Sequence, residues 1–164
     1  MINRVRFVTL TLIAALLQTC LIHRLSYQGL QPDLLFILAF YIGLKAPVRS
    51  VPPACAILGL ARDLLSVQRM GVGMLGFVLT GAILVILRKR YFSEGALARA
   101  MTAFIVLMMM NLLYGAALAV FGSNVDMGYW LKASAGQALV TGALVPFACW
   151  FFDGSRFIPP SRDF

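Results

Sequence analysis

Six apolar runs separated by short charged segments are the feature that most limits how this chain folds. They fall roughly at residues 7–22, 32–44, 48–65, 72–87, 98–121 and 133–152. A helix needs about 20 predominantly apolar residues to cross a bilayer core, so the second and fourth runs must recruit flanking residues or meet a thinner membrane. With 61% hydrophobic and 12% charged residues, the composition is that of an integral membrane protein. The sequence predicts an all-α integral membrane protein with six transmembrane helices.

The two ends of the chain complete this domain organisation. Arg4 and Arg6 ahead of an apolar stretch imitate a signal peptide, but the Gln-Thr pair before Cys20 argues against cleavage, so we expect an uncleaved first helix. The segment 157–164 lacks helical periodicity. We therefore expect one six-helix transmembrane domain at residues 1–152 and a short cytoplasmic tail at residues 153–164.

The distribution of cations predicts the orientation. One set of alternating loops carries ten Lys and Arg residues, and the opposite set carries four. Cytoplasmic loops of membrane proteins are enriched in Lys and Arg. Both termini are therefore expected in the cytoplasm, and an even number of spans likewise requires them to share one side.

The same pattern argues against several classes of function. The net charge of +8 lies between apolar runs, where it anchors helices at a lipid surface and forms no clustered patch for nucleic acid. Three dispersed cysteines and one histidine have no zinc-binding spacing, and no base can be paired with a nucleophile. Residues 71–76 fit G-x-G-x-x-G, but they lack the preceding strand that dinucleotide binding requires. We expect no enzyme activity, no metal and no cofactor.

Arg62 and Asp63 are adjacent charges inside an apolar run. Ionisable residues in membrane segments are costly to insert and mark candidate functional sites. Gly59, Asp63 and Ser66 share one helical face, while Arg62 is turned about 100° away and is expected to extend toward the outer interface. Asp63 either marks the outer end of the helix or faces the bundle. In the second case its candidate polar partners are Gln18, Asn111 and Gln137.

Two helix starts carry further candidate residues. Pro32 and Asp33 suit the first turn of the second helix, because proline is tolerated there and a carboxylate complements the helix dipole. Gly71 begins the fourth run, and the glycines that follow it permit close approach of neighbouring helices.

The stretch from residue 31 to about residue 85 resembles the MreD family, the membrane subunit of the bacterial rod-shape system. The matching features are Gln31-Pro32-Asp33-Leu34-Leu35 at a helix start, Tyr41 near its end, Gly59 through Asp63 to Ser66, and Gly71 before the next span. Arg62 departs from the pattern, since the family usually has an apolar residue before that aspartate.

This resemblance implies a non-catalytic scaffold in the bacterial inner membrane that binds MreC and, through it, MreB, RodA and a penicillin-binding transpeptidase. It also implies a fold similar to the substrate-binding subunit of energy-coupling-factor transporters. Lipid surrounds such a protein, and no nucleic acid is expected. The residues expected to form its polar core or its partner contacts are Asp63, Ser66, Gly59, Asp33, Pro32 and Gly71.

A vitamin-binding transporter subunit is the alternative function, since the expected architecture is the same. Such subunits dock their energising partner through A-x-x-x-A pairs in the first helix, and small residues four apart are what permit close docking. This chain has only Thr11 and Ala15 at that spacing. The weaker motif favours the scaffold over the transporter.

Overall fold

The computed structural model describes residues 4–25, 32–65, 71–91, 95–120 and 127–154. These residues form six α-helices and a short 3₁₀ helix, Val48–Ser50, and no strand occurs among them. The helices are α1 (Arg4–Leu25), α2 (Leu34–Lys45), α3 (Val51–Leu65), α4 (Val72–Tyr91), α5 (Ala96–Val120) and α6 (Met127–Gly154). Each of the six apolar runs thus gives one helix, and the all-helical prediction is confirmed for the described residues.

Two of these helices are long and apolar enough to cross a membrane, over Ala96–Ala116 in α5 and Gly128–Asp153 in α6. Shorter apolar segments lie at Phe7–Cys20, Leu34–Lys45 and Val72–Arg88. Large apolar side chains are exposed on the outside of the bundle, among them Leu16, Leu75, Ile86, Ile105 and Leu139. An exterior of this kind is matched to lipid better than to water, because monomeric soluble proteins rarely expose large apolar patches.

The short helix α2 is the centre of the bundle. It packs against α1, α3, α4 and α6, while α3 packs chiefly on α4 and α5 on α6. Every residue of α2 from Leu35 to Gly43 is buried. A helix that is apolar all round must be enclosed on all sides, and the sequence of α2 meets that condition.

The pairing of α3 with α4 is close because glycine lies between them. A Cβ on Gly59 would lie 2.6 Å from the Cα of Met74. Gly71, which precedes α4, has a φ of 105°, a conformation that residues with a side chain rarely adopt. Gly59 thus permits the close approach of α3 and α4, whereas Gly71 permits the turn before α4, since a Cβ there would meet nothing within 4 Å.

The helices α2 and α6 run parallel, and their pairing fixes the level at which α2 begins. The backbone of Asp33 bonds Thr141, and Tyr41 near the end of α2 bonds Asp153 near the end of α6. Thr141 lies halfway along α6, about 20 Å from either end at 1.5 Å per residue. The helix α2 therefore begins level with the middle of α6 and extends along only half of it.

Candidate functional site

Asp33 caps the N-terminus of α2 at the middle of the bundle. Its Oδ1 atom accepts a hydrogen bond of 3.0 Å from the backbone N–H of Phe36, which is the bond expected of an N-cap carboxylate. Pro32 precedes this cap and lies outside the first turn, so the prediction that proline would begin the helix is wrong by two positions. The side chain of Asp33 is fully buried.

Gln18 and Thr141 hold the same helix end from either side. The amide of Gln18 donates to Asp33 Oδ1 at 3.5 Å and accepts from the backbone N–H of Leu35 at 3.3 Å. The hydroxyl of Thr141 accepts from the backbone N–H of Asp33 at 3.0 Å. The first N–H groups of a helix have no partner within the helix, and here α1 and α6 supply partners.

Arg62 points into the bundle and forms an ion pair with Asp33. Its Nη1 atom lies 3.0 Å from Asp33 Oδ2, its guanidinium lies 5.6 Å from the ring centroid of Phe77, and Nη1 also lies 4.0 Å from the sulfur of Met110. The expectation that Arg62 extends to the outer interface is wrong. Since α3 packs against both α2 and α4, two faces of the helix about 100° apart are both internal.

Asp63 lies about 100° around α3 from Arg62 and caps α4. Its carboxylate accepts from the backbone N–H groups of Gly71 at 2.8 Å, Gly73 at 3.0 Å and Met74 at 3.1 Å. The residue is 2% exposed, which excludes a position at the outer surface. A carboxylate at a helix N-terminus satisfies free N–H groups and complements the helix dipole.

The three amides expected beside Asp63 lie elsewhere. Gln18 contacts Asp33, and Asn111 of α5 donates to Gln137 of α6 at 3.3 Å. Of the two alternatives for Asp63, the structure shows the inward one, but the expected partners are wrong, because backbone N–H groups at the start of α4 take the place of amide side chains. Ser66 lies outside the described residues.

Glycine is required around the Asp63 carboxylate. A Cβ on Gly73 would overlap Asp63 Oδ1, so this position accepts no side chain while the cap is formed. Gly59 brings the backbone of α3 against that of α4 one turn before Asp63. Gly71 and Gly73 of the G-x-G-x-x-G pattern thus belong to the cap of α4, and Gly76 lies in ordinary contact with Met110.

Arg88 and Asp153 bind the other end of α2, and no pattern in the sequence indicates either contact. Arg88 is 4% exposed and donates to the carbonyl oxygen of Ala46, the C-cap of α2. Asp153 accepts from the hydroxyl of Tyr41 at 3.3 Å and pairs with Lys45 at 3.1 Å. Arg88 belongs to a cationic run that is expected in a loop. In the structure it lies on α4, at a position along that helix from which its side chain contacts the C-terminal end of α2.

The charges at the N-terminal ends of α2 and α4 balance one another. Asp33 and Asp63 contribute two negative charges, Arg62 contributes one positive charge, and each N-terminus of α2 and α4 contributes about half a positive charge. In the described segments, no three His, Cys, Asp or Glu residues are close enough to hold a metal ion. The arrangement stabilises helix ends.

The fold and this site define the class of protein: an apolar helical bundle of the membrane type, whose interior charges serve its own helix ends. The chain belongs to the MreD family, because the family profile described as rod shape-determining protein MreD matches residues 1–153. The resemblance noted over residues 31–85 is thereby confirmed and extended. Members of this family are membrane proteins with a role in rod-shape determination and are not known as enzymes. No curated protein and no solved structure matches the chain.

Proposed function

We propose that this chain is a non-catalytic scaffold of the bacterial cell-elongation complex that binds MreC in the inner membrane and helps position peptidoglycan synthesis. Through MreC, the chain associates indirectly with MreB, RodA and a penicillin-binding transpeptidase. The observation that carries the proposal is that Asp33, Arg62 and Asp63 bind the ends of the protein's own helices. Buried charge used in this way fixes helix geometry, as a scaffold requires.

The proposal includes a six-span topology with both termini in the cytoplasm. Three observations support it: the excess of cations on one set of loops, the apolar exterior of the helices, and the parallel course of α2 and α6. In this topology the Asp33–Arg62 pair lies inside the hydrocarbon layer, since Thr141 is at the centre of the apolar segment Gly128–Asp153. Ends of α2 and α4 at that depth require polar partners from within the protein.

Partner binding is tested by photocrosslinking in cells that contain MreC. A photoreactive amino acid is placed at one exposed position per helix, namely Leu12, Leu60, Leu75, Ile105 or Leu139, and at buried Leu84 as the control. We expect crosslinks to MreC from one helix or two neighbouring helices and none from the control. Equal yields at all positions, or none at any, would contradict specific binding.

The topology is tested separately by reporter fusions. Alkaline phosphatase fused after residue 164 should be inactive, and the same enzyme inserted between α5 and α6 should be active, since it folds only in the oxidising periplasm. The opposite pattern would overturn the assigned orientation.

The expected likeness to energy-coupling-factor subunits stays a prediction. A polar vitamin has no specific support, because the cavity between α1 and α6 is lined only by hydrocarbon side chains.

A further inference from the structure

A lateral cavity of about 490 Å³ opens between α1 and α6, with the first turns of α2 as its floor. All of its lining residues are Leu, Ile, Ala or Phe. A site without hydrogen-bonding groups does not hold ordered water, because such water needs two to four polar partners. The occupant must therefore be hydrocarbon.

The volume of the cavity distinguishes between two hydrocarbon occupants, a membrane-crossing helix and a lipid acyl chain. A helix that crosses the bilayer is about 30 Å long and 10–12 Å wide, and so occupies on the order of 2,000–3,000 Å³. The cavity would hold only a small part of it. At roughly 30 Å³ per methylene, close to the share of one water molecule in the liquid, the same space accommodates about 16 carbons, the length of one acyl chain.

The length of the cavity agrees with one leaflet. Its wall on α1 runs from Leu10 to Leu17, about 10 Å, and its wall on α6 runs from Leu144 to Phe152, about 12 Å. Half of a bilayer core is about 15 Å thick. The deep end lies at Leu34, next to the capped end of α2, and the shallow end lies at Phe152, next to Asp153.

The helix ends at the shallow end of the cavity carry more cations than carboxylates in the sequence. Lys45, with 27% of its side chain exposed, pairs with Asp153 beside Phe152. The helix α1 begins at Arg4 and has Arg6 in its first turn, six and four residues before Leu10. In the sequence these helix ends carry three cations against one carboxylate, a net charge that favours an anionic headgroup.

We propose that this cavity binds one acyl chain of an anionic phospholipid from the leaflet in which α1 begins and α6 ends. That leaflet is the cytoplasmic one in the topology proposed above, on which this assignment rests. It does not depend on MreC, so the test uses the isolated chain. Failure of lipid binding and failure of partner binding are then separate results.

The test uses the purified full chain in nanodiscs of phosphatidylethanolamine and phosphatidylglycerol, with a phosphatidylglycerol probe carrying a photoreactive group on its acyl chain. Adducts are mapped by mass spectrometry. We expect them on cavity residues of α1 and α6 above the level on the exposed faces of α4 and α5. Unlabelled phosphatidylglycerol should compete better than phosphatidylcholine.

Matched variants fill the cavity or leave it open. Ala148→Phe places a ring in the cavity, whereas Ala143→Phe adds the same ring at an exposed position of the same helix. We expect Ala148→Phe to reduce cavity adducts at least about tenfold, equivalent to about 1.4 kcal/mol of binding, and Ala143→Phe to leave them unchanged. If Ala148→Phe does not fold, as judged by its elution profile, Ala148→Leu replaces it in the same measurement.

Two results would overturn the proposal. Adducts spread evenly over all exposed helix faces, and insensitive to residue 148, would show surrounding lipid only. Loss of cavity adducts when MreC is present, with a crosslink from Leu144 to MreC in their place, would show that a partner helix is the occupant.

Discussion

Removing the Arg62 guanidinium should destabilise the bundle severely, because it leaves the Asp33 carboxylate buried without its cation. The two groups are 3.0 Å apart, and the Asp33 side chain has no exposed surface. Breaking a buried pair by removing one partner costs about 3–5 kcal/mol, and we expect Arg62→Met to fall in this range. Asp33→Asn should cost less, about 2–3 kcal/mol, because 21% of the Arg62 side chain remains exposed.

The double variant Asp33→Asn with Arg62→Met measures the pair itself. Neither charge is then left alone, and Asn still caps α2, since asparagine is among the preferred N-cap residues. We expect the double variant to be less destabilised than the sum of the single variants by about 2–3 kcal/mol, within the range for residues in contact.

The assay is equilibrium unfolding by sodium dodecyl sulfate in mixed micelles, followed by far-UV circular dichroism. Gln18→Leu, which removes a neutral partner of Asp33, is the control for loss of a hydrogen bond and should cost about 1–3 kcal/mol. A coupling below about 0.5 kcal/mol, the limit for independent sites, would refute the assignment of a buried ion pair.

Three further changes test other parts of the structure. Asp63→Leu should convert rods to spheres in cells at normal protein abundance, since each orphaned buried N–H costs about 1–3 kcal/mol, whereas Asp63→Asn should act mildly; normal rods with Leu at 63 would contradict the role of this cap. Gly73→Ala should lower thermal stability strongly because its Cβ overlaps the carboxylate, while Gly76→Ala, with its nearest contact at 3.5 Å, should not; equal melting temperatures would count against the Asp63 geometry. Lys45→Met should cost at most about 1 kcal/mol, because both members of the Lys45–Asp153 pair are partly exposed; a larger loss of unfolding free energy would show that the pair is more deeply buried than the structure indicates.

Some features of the site were readable in the sequence because they are local. Asp33 follows a proline and precedes an apolar helix, which is the usual context of an N-cap. Asp63 shares a helical face with Gly59, and glycine beside a polar residue indicates close backbone approach. Both residues are buried and cap helices in the structure.

The inward position of Arg62 does have a signal in the sequence. Asp33 and Arg62 lie at similar distances, about 12 or 13 residues, from the turn at 46–50. In an antiparallel pair of helices, equal distances from the turn place two residues at one level. Opposite charges at one level inside a bundle are expected to pair, because isolated charge is costly there.

Other contacts had no signal in the sequence. Thr141 lies 108 residues from Asp33, and 42 residues separate Arg88 from Ala46. Such pairs depend on how far one helix slides along another and how it is rotated. Hydropathy leaves those quantities open, since apolar surfaces pack in many registers.

Hydropathy and loop charge are enough to predict six helices, their order and an orientation. Each of these predictions depends on the free energy of transferring a local segment between water and an apolar phase. Packing alone placed α2 at half depth in the bundle and assigned its two ends to side chains from α1, α3, α4 and α6. The reason is physical: a helix end has unsatisfied backbone groups wherever it lies, and only the assembled bundle shows which distant side chains reach them.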